Sequence, residues 1–431
     1  MISRSALNAS GRRSSILLRK EVPSSSRLLL PTTTIRSRRL ASTSTGNRLT
    51  SWAQSTSKVS RVFTGLILLG VASTAYGLYE FYQMFTMWPP EVRGDLRAGV
   101  KAKHQGDFVM SERYLRRALE TAQQLPLERL SPDPHLKLSG IAIVLGEVLE
   151  KADHPQAAYE VYTSALSQLQ NTQGLSGPER VRAAAIAFKL GEMAELYQQP
   201  PEEEEKWLVY TVEELLRVVR DYQGNIPHQP GGGGDERQLA ALSELELPGW
   251  VTKHDLIAPL ETLGAFYNRV GKQEYAVPLY LSALSILTPS RRNTVEARCQ
   301  GAHIMNSLAD SLTQEAPTPD RRKQAEVWIR KALAVIQEAK AAARADDANA
   351  LQQCEHTLAA ALFNLGSLRE MAGDNEDAHK WYTASRKQSS SLKMREGVVE
   401  AGVALRRLDK LSKSSSEDSG VIDATNGKHV K

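Results

Sequence analysis

The chain has 431 residues, of which 6% are aromatic and 24% charged, a balance that suits long exposed helices better than a sheet-rich enzyme. Its formal charge of +5 hides a split: residues 1–61 carry twelve Lys or Arg against the single acid Glu21, a net of +11, which subtracted from +5 leaves the other 370 residues at −6. An acidic folded part excludes a general nucleic-acid footprint. The two cysteines, Cys299 and Cys354, stand apart from any CxxC or His-rich pairing. Neither a zinc site nor a disulfide framework is therefore expected, and both read as small buried hydrophobes on the first helices of successive repeats.

Residues 1–40 are rich in Arg, Ser and Leu and nearly free of acid, the composition of a mitochondrial transit peptide. A basic segment, 41–61, leads into VFTGLILLGVASTAYGLY and on to Trp88. The uncharged run covers roughly 27 Å as a helix, nearly the hydrocarbon thickness of a bilayer, so residues 62–88 are expected to form one transmembrane helix. Pro89-Pro90 ends it. Lys58 and Arg61 precede the span whereas acids mix in after it, which places the N-terminus in the matrix and the remainder in the intermembrane space of an inner-membrane protein.

From residue 89 to 412 one phrase recurs six times: a small step, an Ala-type position, a bulky residue and a second small one. Its cleanest copies are Gly146, Ala158, Tyr162, Ala165; Gly264, Ala276, Tyr280, Ala283; and Gly366, Ala378, Tyr382, Ser385. The other copies start at Ala98-Gly99, Leu190-Gly191 and Leu308-Ala309. In the third, Glu203 is read at the Ala position with Trp207 and Tyr210 following. In the fifth, four residues are gained at EAPTPDRR. This phrase is similar to that of tetratricopeptide repeats, and the fold class it predicts is an all-α solenoid of about six helix pairs. NIPHQPGGGGDE, residues 225–236, reads as a loop; no Gly-Lys-Ser/Thr follows it, so it is no P-loop. SSLKMREGVVEAGVALRRLDKL reads as a capping helix through Met394, Val398, Ala401 and Leu405, and residues 413–431 as a disordered tail.

In tetratricopeptide arrays the first helix of each pair lines the concave face. Counting from each small step gives a candidate peptide-binding groove of Ile143, Glu147, Phe188, Glu192, Glu261, Ala265, Asn306, Asp310, Phe363 and Ser367. The mixture is apolar and acidic, which suits extended, basic or unfolded segments and lacks the Lys, Arg and Asn that clamp a carboxylate. Scattered histidines and the EEEE run at 202–205 form no HExxH or nucleophile-elbow pattern, so neither catalysis nor a cofactor or metal is expected.

The ordered combination of presequence, span near residue 70, repeat array and closing GVVEAGVALRRLDK resembles the fungal tetratricopeptide adaptor subunit of the mitochondrial inner-membrane i-AAA protease supercomplex. The resemblance covers about residues 1–410. It implies an adaptor that recognises unfolded membrane or intermembrane-space proteins and passes them to the protease; its partners would be protease subunits, unfolded substrates and the lipid bilayer. An assembly or translocation factor for respiratory or import complexes is the alternative with the same fold and anchor.

Overall fold

The computed structural model of the chain describes residues 87–224, 247–287, 294–314 and 318–426, with side chains described to residue 412. Six helix pairs joined by short turns follow in chain order: α1 (Pro90–Gln105) with α2 (Phe108–Gln124), α3 (Pro134–Lys151) with α4 (Pro155–Gln170), and α5 (Gly177–Leu196) with α6 (Pro201–Gly224). Then come α7 (Lys253–Arg269) with α8 (Gln273–Leu287), α9 (Val295–Gln314) with α10 (Pro319–Ala342), and α11 (Ala348–Met371) with α12 (Asn375–Ser391). A last helix, α13 (Arg395–Asn426), packs Ala404, Leu405 and Leu408 against Ala378 and Tyr382 of α12. No strand occurs among the described residues. The chain forms two compact units, one ending at Ala165 and one running on from Leu166.

The small steps are small because a bulky side chain of the second helix lies on them. A Cβ on Gly146 would sit 2.3 Å from Cζ of Tyr162, one on Gly264 3.0 Å from Cε1 of Tyr280, and one on Gly366 2.9 Å from Cδ1 of Tyr382. Leu115 fills the same place over Gly99. The three tyrosines are the largest fully buried side chains, and a buried phenol needs a partner. Tyr162 donates to Glu150 at 2.8 Å and Tyr382 to Glu370 at 2.7 Å. Both carboxylates stand four residues after the small step, one turn along the same face.

The turns within pairs are equally local. Gly106, Gly271 and Gly373 have φ of +81°, +80° and +83°, the left-handed conformation that ends a helix and favours glycine. After two of them Asp107 and Asp374 cap the second helices, accepting from the backbone N–H of Met110 and Asp377.

The third pair departs from the expected alignment. Gly191 receives Leu208, not Trp207, because the turn holds one residue more than in its neighbours. Glu204, and not Glu203, therefore stands at the Ala position, where it is 5% exposed. Arg269 of α7 compensates the buried charge, lying 2.6 Å from both carboxylate oxygens. In the fifth pair Ala309, Ala325 and Ile329 share one core with Ala361, Leu365 and Leu368, as the four-residue gain requires.

One expectation needs correction. Cys299 and Cys354 are fully buried on the first helices α9 and α11, as read, but they form a disulfide with Cα atoms 4.8 Å apart. Fifty-five residues separate them in sequence; packing of α9 beside α11 removes that separation in space. Helix α13 runs on as far as Asn426, over residues read from the sequence as a tail. The presequence, the basic segment, the Gly-rich loop and the span up to residue 86 lie outside the described residues. Among the described residues no helix is long and apolar enough to cross a membrane.

Candidate functional site

Within the unit from Leu166 onward, the first helices α7, α9 and α11 lie side by side and are joined by polar side chains. Between α7 and α9, Glu261 meets His303 at 3.2 Å and accepts from Gln300 at 3.4 Å, while His254 contacts Gln300 at 3.0 Å. Further along, Asn268 donates to Asp310 at 3.2 Å and accepts from Ser311 at 2.7 Å. Between α9 and α11, Asn364 donates to Asn306 at 3.1 Å. On the neighbouring first helix, Glu195 of α5 holds Arg269 of α7 at 2.7 Å. Polar bonding of this kind fixes the spacing of adjacent pairs while leaving some of its members open to a ligand.

The ten candidate groove residues divide by environment. In the unit ending at Ala165, Ile143 is buried and Glu147 is ion-paired with Lys103. In the other unit Phe188 is buried in the core with Leu208, Leu260 and Leu263, and Asn306 is buried in its bond to Asn364. Phe363 is half-buried, its ring 5.1 Å from that of Tyr382. These apolar members serve packing. Glu192, Glu261, Ala265, Asp310 and Ser367 stay partly accessible. Asp310 and Ser367 come together with Thr313 and Asn364 in a small polar recess floored by Ile329 and Leu368.

Several contributors escaped the sequence reading. Asn268 and Thr313 stand four residues after a small step, as do Lys103, Glu150, Glu195 and Glu370. A polar residue at that offset in all six pairs is the signal that identifies them. Arg182 on α5 is half-buried, and burial pulls its guanidinium below its ordinary value. Tyr267 on α7 is pushed up to about 12, first by burial and then by its 3.0 Å hydrogen bond to Glu205. The Tyr267–Glu205 bond is a contact between α7 and α6. No group of three or more His, Cys, Asp or Glu side chains among the described residues is placed to hold a metal ion.

No protein-family model matches the chain. A TPR repeat-containing protein of Schizosaccharomyces pombe is 25% identical over 328 residues, spanning 73% of this chain and 78% of that protein. Among solved structures, BtubC from P. vanneervenii aligns at 16% identity and a TM-score of 0.43, covering 66% of this chain and 92% of its own. A tetratricopeptide repeat protein from Parabacteroides merdae aligns at 14% identity and 0.31, covering 74% and 98%. In sequence the chain is thus similar to a tetratricopeptide-repeat protein, and its all-helical pairs, closed by a small step against a bulky partner, have the tetratricopeptide form.

Proposed function

We propose that the protein is a non-enzymatic, membrane-anchored adaptor that binds unfolded or misfolded mitochondrial proteins and delivers them to the inner-membrane i-AAA protease. The observation that carries this reading is the row of partly open acidic and amide side chains on α7, α9 and α11, centred on Glu261 and Asp310 beside the small residues Ala265 and Ser367. Such a surface attracts extended basic segments weakly and without strict sequence demand. Weak capture is sufficient when the captor is tethered near the protease, because tethering raises the local concentration of the client.

In this reading residues 62–88 anchor the chain in the inner membrane, the N-terminus faces the matrix and the repeats occupy the intermembrane space. The Cys299–Cys354 bond supports that side, since disulfides persist where thiols are not held reduced. Purification of the full chain in mild detergent tests the proposal. Stoichiometric recovery of an ATP-dependent protease is expected, and respiratory or import subunits in its place would favour an assembly or translocation factor.

A further inference from the structure

In α11 the face that meets α12 is set by four positions. Ala359 accepts from the Ser385 hydroxyl at 2.9 Å, Phe363 lies on the Tyr382 ring, Gly366 receives that ring, and Glu370 accepts its hydroxyl. Relative to Gly366 these are offsets −7, −3, 0 and +4. Gly402 of α13 stands 36 residues further on, in an Ala-Gly step like that of the first pair. The same offsets from it are Arg395, Val399, Gly402 and Arg406.

No second helix follows α13 among the described residues; Gly402 itself is buried, while the side chains that flank it on this face are exposed. Val399 is 61% exposed, and Arg395 and Arg406 are exposed with it. A Cβ on Gly402 would meet only the guanidinium of Arg406, at 3.7 Å, where the corresponding atom on Gly366 is 2.9 Å from a tyrosine ring. Among the described residues α13 thus shows a pairing face whose glycine has the flexible Arg406 guanidinium, and no ring, beside it.

The charge of the face defines what fits it. Arg395, Arg406 and Lys410 are exposed and form no ion pair among the described residues, and neither do Arg386 and Lys387 on the adjoining α12, whereas the acid on the same face, Asp409, is paired with His379 at 3.7 Å. At the offset where Glu150 and Glu370 accept a phenol, α13 carries Arg406, which calls for a carboxylate. A second copy of this chain would bring like charges together. A bilayer would find two valines and no aromatic side chain on the face, little apolar area for insertion.

We propose that the outer face of α13 is a docking site for an acidic amphipathic helix of a partner protein. That helix packs as α12 packs on α11, with one bulky apolar side chain over Gly402 and carboxylates against Arg395, Arg406 and Lys410. This surface is separate from the first-helix surface and does not depend on what is captured there.

The probe is a synthetic peptide with the sequence of residues 375–391, which supplies Tyr382, carrying K380E, R386E and K387E. Titrated into the detergent-solubilised full chain, it is expected to bind saturably. Val399→Asp and Arg406→Glu should each weaken it tenfold or more while circular dichroism and the melting temperature stay unchanged, because both side chains are exposed. The unaltered peptide should bind at least tenfold more weakly. Absence of saturable binding, or equal binding by both variants, overturns the proposal. So does a dimer in sedimentation that Val399→Asp dissolves, or binding to phosphatidylserine vesicles that Arg406→Glu abolishes while the peptide stays unbound.

Discussion

Glycine and tyrosine carry the fold at the scale of single residues, and their pairing was legible because it recurs at one fixed offset in a helical frame. Adding a methyl to Gly146 forces the Tyr162 ring aside, an overpacking cost of about 1–3 kcal/mol set against a helix-propensity gain of about 1 kcal/mol. Gly94 of α1 has nothing within 4 Å of its Cβ position. Chemical denaturation should therefore find Gly146→Ala neutral to destabilising by up to about 2 kcal/mol and Gly94→Ala stabilised by up to about 1 kcal/mol. Tyr382 makes a second prediction. Burial first, and then the Glu370 hydrogen bond, raise its phenol above the ordinary value near 10. The unfolded chain therefore loses this proton first: the stability the phenol contributes is complete below about pH 10 and is lost as pH rises through the folded value. Urea unfolding at pH 9 and pH 11 should show wild type losing more stability than Tyr382→Phe over that interval. Phe188, by contrast, read as a groove residue, is buried with Leu208, Leu260 and Leu263, which no local pattern brings beside it.

At the scale of elements, six pairs and a capping helix followed from the repeat, whereas contacts between repeats did not. The one-residue shift in α6 illustrates the difference. A turn of unknown length decided that Glu204 is buried, and Arg269, a residue of the next pair, is ion-paired with it. Arg269→Met should destabilise the chain by about 3–5 kcal/mol, since it strands a buried carboxylate, and Glu204→Ala in the same background should recover much of that loss. The Cys299–Cys354 bond is of the same kind, joining α9 to α11 across α10. Closing a 55-residue separation contributes about 4 kcal/mol in the chain-entropy account. Cys299→Ser together with Cys354→Ser should lower the melting temperature, and added reductant should reproduce that fall in the wild type but not in the double variant.

For the whole molecule, charge and hydropathy divide the chain into a basic leader, an apolar stretch and an acidic array, and the array is where function is read. Glu261 and Asp310 contribute negative charge on first helices whose mutual contacts include amide and hydroxyl bonds. A client held there is held by exposed charge and short side chains, which makes binding salt-dependent. The most direct measurement is the decay rate of an unfolded intermembrane-space reporter in mitochondria that carry the wild-type chain, the Glu261→Lys/Asp310→Lys double variant, or no chain. The account predicts decay slowed several-fold without the chain and comparably slowed by the double variant at equal protein level. Decay at the same rate in all three would contradict it.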